Sequence, residues 1–120
     1  MNEIEVKEEM YRKATLLLVI ILLAATATLN AQSTTFSYQG NLNTNGTPAN
    51  GNFDFEFALF DSLVAGNQIG TTLTRNGVIV ANGTFAVSLD FGSQFTGANR
   101  FVEVRVRAAG GTFIPLSPRQ

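Results

Sequence analysis

"FDFEFALFD", Phe53 to Asp61, is the stretch on which the fold turns. In an extended strand its residues alternate between two faces. Phe53, Phe55, Phe57 and Leu59 then line one face, with Asp54, Glu56 and Ala58 on the other. Such a row of phenylalanines is either a surface that grips a ligand or one wall of a hydrophobic core. The rest of the chain favours the core, because the same alternation recurs. "FSYQGNL" (36–42) sets Phe36, Tyr38 and Leu42 against Ser37, Gln39 and Asn41. "TFAVSLDF" (84–91) sets Phe85, Val87, Leu89 and Phe91 against Ala86, Ser88 and Asp90. "FVEVRVR" (101–107) sets Val102, Val104 and Val106 against Glu103, Arg105 and Arg107. Apolar rows of this kind need one another for burial, and an exposed phenylalanine comb invites aggregation. The expected core is Phe36, Phe53, Phe55, Phe57, Leu59, Val80, Phe85, Val87, Leu89, Val102, Val104 and Val106.

Between the rows lie turn signals. Asn-Gly occurs at Asn45, Asn50, Asn76 and Asn82, and this pair tolerates the positive φ that a two-residue hairpin demands. Asn82-Gly83 is expected to fold "VIVA" back on "TFAV", pairing Val80 with Phe85 and Val78 with Val87. Asn76-Gly77 is expected to turn "TTLTR" into "VIV". "NTNGTPANGN" and "DSLVAGNQIG" read as longer loops. Pro115 lacks an amide proton, so the last strand, "TFIPLSP", belongs at a sheet edge. Roughly seven short strands with one wet face each predict an all-β antiparallel β-sandwich, with a small barrel as the alternative.

The N-terminal part differs in kind. "MNEIEVKEEMYRK" is charged, "ATLLLVIILLAATATL" (14–29) carries no charge, and "NAQSTT" opens a polar remainder. That order is the order of a secretory signal peptide. Its apolar run falls short of the ~18 residues expected of a spanning helix. Small residues allow cleavage after Ala27 or Ala31. Ala31 is preferred and leaves Gln32 as the new N-terminus, so residues 1–31 form the signal and 32–120 the module. Glu3, Glu5, Glu8 and Glu9 are unusual before an apolar run, and a start at Met10 would restore a basic n-region. An uncleaved signal anchor is the alternative.

Composition excludes several classes of function. Cysteine and histidine are absent from the whole chain, and no lysine follows the signal. Disulfides, thiol nucleophiles and the usual general bases are therefore missing. After the signal, Asp54, Glu56, Asp61, Asp90 and Glu103 balance Arg75, Arg100, Arg105, Arg107 and Arg119. A neutral module offers no electrostatic footprint for nucleic acid or anionic lipid. All 10 phenylalanines lie in this part, enough aromatic area for a small core.

The candidate chemistry is sparse. Asp54 and Glu56 share a face, as paired carboxylates that act as acid and base on a glycosidic bond do. If the Phe53 and Phe101 strands are neighbours, Arg105 and Arg107 instead pair with these two acids as cross-strand ion pairs, and this is the preferred reading. Asp61 and Asp90 are oxygen ligands for calcium only in a denser acidic loop than this sequence offers. Asn45-Gly-Thr47 and Asn82-Gly-Thr84 match the glycosylation pattern within expected turns. No catalytic residue, metal ligand or cofactor is assigned.

Taken in order, "FSYQGNL", "NGTPANGNFDFEFALFD", "NGTFAVSLDFG", "RFVEVRVR" and "LSPRQ" resemble a β-sandwich module of exported bacterial surface proteins. The resemblance spans almost all of residues 36–120. In that family the module follows the signal peptide. Longer members continue into fibrous regions and sometimes end in a tail-fibre-type intramolecular chaperone domain. The resemblance implies a secreted or surface-exposed, adhesin-like structural role. It also implies that more chain, including downstream domains, follows "LSPRQ". The expectation is thus an exported, non-enzymatic structural or interaction module at the cell surface or outside the cell. It has an unidentified protein or glycan partner, binds no nucleic acid and leaves the membrane once the signal is removed. A glycan-binding module is the alternative.

Overall fold

The computed structural model describes residues 2–26 and 32–120. The chain divides into two units, 1–33 and 34–120. In the first, helix α1 runs Glu3–Thr26. Asn2 caps it, its Oδ1 accepting the Glu5 N–H at 2.9 Å. Glu3 and Glu5 occupy the first turn, where the helix dipole favours negative charge. Glu3–Lys7 and Glu9–Lys13 pair one turn apart at 3.8 and 2.9 Å. The acids that suit a signal n-region poorly thus serve to start a helix. Among the described residues no helix is long and apolar enough to cross a membrane. The expected cleavage point at Ala31 lies outside the described residues.

The second unit is built of strands, all paired antiparallel. They are β1 (Thr35–Asn41), β2 (Asn43–Thr44), β3 (Thr47–Pro48), β4 (Gly51–Phe60), β5 (Gln68–Val80), β6 (Thr84–Asp90), β7 (Phe101–Ala108) and β8 (Ile114–Leu116). β1 pairs with β6, β2 with β3, and the largest sheet has the order β5-β4-β7-β8. β8, with Pro115, lies at the edge of that sheet, where a residue without an amide proton is tolerated.

The strands differ from the expected set at three Asn-Gly pairs. Asn45-Gly46 lies in what reads as a long loop, but with φ of 51° and 79° it closes the β2–β3 hairpin. Asn76-Gly77 makes no turn, because β5 runs straight through it. Phe53 faces Val78 and Phe55 faces Arg75, so one extra residue of β5 is taken up as a bulge. Gly77, at φ 64°, allows the bulge, and its N–H is held by the Asp54 carboxylate at 3.0 Å.

Asn82-Gly83 does turn, at φ 50° and 77°, but its flanks share only the Ala81–Thr84 bridge. Val80 pairs with Gly51 and Val78 with Phe53, while Phe85 pairs with Gly40 and Val87 with Tyr38. The expected Val80–Phe85 and Val78–Val87 pairs do not form. The turn is captured instead by the neighbouring corner. Gly83 donates to the Ala49 carbonyl at 2.8 Å and accepts from the Leu42 N–H. The chain therefore passes from one sheet to the other at this point.

The phenylalanine row faces inward. Phe55, Phe57, Leu59, Val80, Phe85, Leu89, Val104 and Val106 are buried, and Phe36, Phe53, Val87 and Val102 pack half-buried against them. Leu42, Ala49 and Phe91 complete the cluster. The β1–β6 pair lays its aromatic rings on β4. Phe85 and Phe55 lie 4.3 Å apart between centroids, and Tyr38 meets Phe57 edge-on at 5.6 Å. Arg75 ties β5 to β6, its Nε donating to the Ser88 carbonyl at 3.1 Å.

Ala58 falls on the outward row with Asp54 and Glu56, yet it is buried. Its cross-strand partner Glu103 holds Arg119, whose guanidinium lies over the ring of Phe60, the next outward residue. The smallest residue of the row is the one roofed over.

Candidate functional site

The outward face of β4 and β7 gathers half of the unit's charged side chains. Antiparallel register sets Asp54 opposite Arg107 and Glu56 opposite Arg105, as their complementary signs anticipate. Arg107 Nε lies 3.0 Å from Asp54 Oδ2, and Arg105 Nη2 lies 3.2 Å from Glu56 Oε2. Arg105 also approaches Glu103 at 3.7 Å. The Phe113 ring lies 4.3 Å from the Arg107 guanidinium.

Asp54 accepts from two donors, Gly77 N–H on Oδ1 and Arg107 on Oδ2. The Gly77 bond first, and Arg107 second, hold its carboxyl below the usual range. A general acid at a glycosidic bond needs the opposite shift. The geometry therefore makes Asp54 a fixed anion that fastens β5, β4 and β7 together.

Arg119 enters the sequence reading only in the charge balance and within the motif "LSPRQ", with no role assigned to it. Its Nε and Nη2 both reach Glu103 Oε2 at 3.1 Å. Nη1 donates to the Ser62 carbonyl at 2.9 Å and to the Ala65 carbonyl. The guanidinium sits 3.6 Å from the Phe60 ring centroid. The next residue, Gln120, exchanges two backbone hydrogen bonds with Val102, at 2.8 and 3.1 Å. The motif "LSPRQ" is thus a clasp, in which Arg119 fixes the 61–67 loop and Gln120 prolongs the pairing along β7. A lone arginine after a proline carries no periodicity, so spacing assigns it no role.

Asp61 and Asp90 serve their own loops. Asp61 Oδ1 accepts the Asn67 N–H at 2.8 Å. Asp90 accepts from the Thr34 and Thr35 hydroxyls and, at 2.8 Å, from the Gly92 N–H. The Thr34 hydroxyl is the largest cause of a lowered Asp90 pKa, followed by Gly92. Among the described residues no three metal-ligating side chains come together.

Two clefts open beside β8. One, of about 400 Å³, has Tyr38, Phe85, Val104 and Leu116 in its wall and the amides of Gln39, Asn41, Asn43 and Gln120 around it. Burial pushes the Tyr38 phenol pKa up. The other, of about 490 Å³, is more apolar and is lined by Leu42, Phe53, Val106, Ile114 and Leu116, with Asn45 and Arg107 also in its lining.

These features define a class: an antiparallel β domain whose outward acids are engaged by arginines and backbone amides. The chain belongs to a family described as a domain of unknown function (DUF8740), whose profile matches residues 37–119. No curated protein and no solved structure matches it.

Proposed function

We propose that residues 32–120 form a β-sandwich that is exported and acts as a non-enzymatic structural or interaction module at the cell surface or outside the cell. The observation that carries this reading is the state of the outward acids. Asp54, Glu56 and Glu103 are all held by arginines in cross-strand or clasp contacts. A face braced in this way suits a rigid spacer or adhesin-like unit better than an acid–base site. The sandwich is supported by the aromatic contacts that join the β1–β6 pair to β4. Export is supported by the order of charged, apolar and small residues before Gln32. The resemblance of the ordered motifs to surface-protein modules supports the same location.

The test is to produce the full chain with its leader in a bacterial host and determine the N-terminus of the product outside the cytoplasm. Export with cleavage gives a chain starting at Gln32. Intact chain confined to the membrane fraction contradicts it and favours a signal anchor.

A second reading, glycan binding, is favoured by the amide-ringed cleft at Tyr38. Flanking amides and a partly buried aromatic are groups that hydrogen-bond and pack against sugar rings. Binding on a glycan array that Asn43→Ala abolishes would establish it. An array without signal leaves the structural role.

A further inference from the structure

The Asn-Gly pairs at Asn45, Asn50, Asn76 and Asn82 share one chemistry and have four different surroundings. Glycine has no side chain to shield its amide, so its nitrogen readily attacks the preceding asparagine. We propose that Asn45 is a selective site of spontaneous deamidation in the folded chain, and that the other three are held unreactive by specific bonds.

At Asn82, the attacking amide is engaged, since Gly83 N–H donates to the Ala49 carbonyl at 2.8 Å. The turn is also crowded, with the Leu42 carbonyl oxygen 3.0 Å from where a Gly83 Cβ would lie. At Asn50, the electrophile is fixed: its Oδ1 accepts the Asn82 N–H at 2.9 Å, and Nδ2 faces the Pro48 carbonyl at 3.5 Å. Gly51 is paired with Val80. At Asn76, the Gly77 amide is bonded to the Asp54 carboxylate at 3.0 Å, inside a continuous strand.

Asn45 has none of these restraints. It is exposed, and among the described residues neither its side-chain amide nor the Gly46 N–H has a hydrogen-bond partner. Nothing lies within 4 Å of a Gly46 Cβ position. The hairpin it closes has only 2 residues in each strand. So short a ladder opens at little cost.

The reaction needs only hydroxide and water. Hydroxide takes the Gly46 amide proton, and the nitrogen attacks Asn45 Cγ. A C–N bond closes the succinimide as the Cγ–N bond to the side-chain nitrogen breaks and ammonia leaves. Water then opens the ring at either carbonyl, giving aspartate or isoaspartate. A carboxylate thereby appears in the lining of the groove that also contains Arg107. In the isoaspartate product an extra methylene enters the backbone of a two-residue turn.

The test is to hold the purified full chain in mildly alkaline buffer, with and without denaturing urea, and to follow each Asn-Gly peptide by mass spectrometry. In the folded chain Asn45 should convert at least about tenfold faster than the other three, the protection expected where reaction requires local opening. Urea should bring the rates together. Gly46→Ala should slow conversion at Asn45 alone. The proposal is overturned if Asn50, Asn76 or Asn82 keeps pace with Asn45 in the folded chain. It is equally overturned if the spread of rates persists in urea, or if Gly46→Ala leaves Asn45 unaffected.

Discussion

Gly40 lacks a side chain because Phe85 occupies the place where one would lie. The two residues face each other across the β1–β6 ladder, and a Cβ built on Gly40 would come 2.6 Å from the Phe85 ring. Glycine in a strand ordinarily costs roughly 0.5–1 kcal/mol relative to alanine. Gly40→Ala should nevertheless destabilise the domain, by about 1–3 kcal/mol in urea unfolding, as overpacking does. Phe85 cannot yield cheaply, since it is itself buried and packed on Phe55. A stabilised variant would show that the ring lies elsewhere. Phe55→Ala, at a position with 0% exposure, should cost about 3–5 kcal/mol, the range for a buried phenylalanine. A loss below about 1 kcal/mol would return the row to solvent and revive the ligand-gripping reading. The burial of Phe55 was legible from alternation alone. The need for glycine at Gly40 was not, because it depends on a partner far along the chain.

At the scale of the strand, charge gave more than turn chemistry did. The acids of β4 and the arginines of β7 face each other as their signs suggest, since like and unlike pairs across a ladder differ in energy. Asn-Gly was the weaker guide. It encodes positive φ, which a hairpin, a bulge and a sheet-to-sheet corner all require. Which of the three forms depends on distant acceptors: the Asp54 carboxylate for Gly77 and the Ala49 carbonyl for Gly83.

Glu56 and Arg105 suit a charge exchange because Asp54 also holds Gly77, while the second contact of Arg105, to Glu103, is longer at 3.7 Å and limits the recovery. Glu56→Arg should destabilise the domain. Adding Arg105→Glu should recover roughly 0.2–1 kcal/mol at low salt, and less as salt screens the pair. Strict additivity would show that the two side chains do not interact. The depressed pKa values of Asp54 and Asp90 set a pH dependence. Their folded values lie below the unfolded one, so this stabilisation is complete above the ordinary aspartate pKa of about 3.9. It is lost as pH falls through the folded values. The urea midpoint should drop with acidification below that point, and Asp54→Asn should flatten the decline.

For the molecule as a whole, the strand segments, the inward rows and the β4–β7 neighbourhood were legible in the sequence. The strand count changed because "TTLTR" and "VIV" fuse into β5 while a supposed loop yields β2 and β3. The clasp at Arg119 was not legible, because its partners, Glu103, Phe60 and the 62–65 carbonyls, meet only in the folded chain. The central proposal is the sandwich, in which two sheets close face to face over the phenylalanine row, so that the row supplies stability and not ligand contact. Nuclear Overhauser contacts between ring protons test this most directly. The account predicts strong cross-peaks from Phe85 to Phe55 and from Tyr38 to Phe57, the pairs whose centroids lie 4.3 and 5.6 Å apart. Well-resolved spectra of the folded domain that lack both contacts would contradict it.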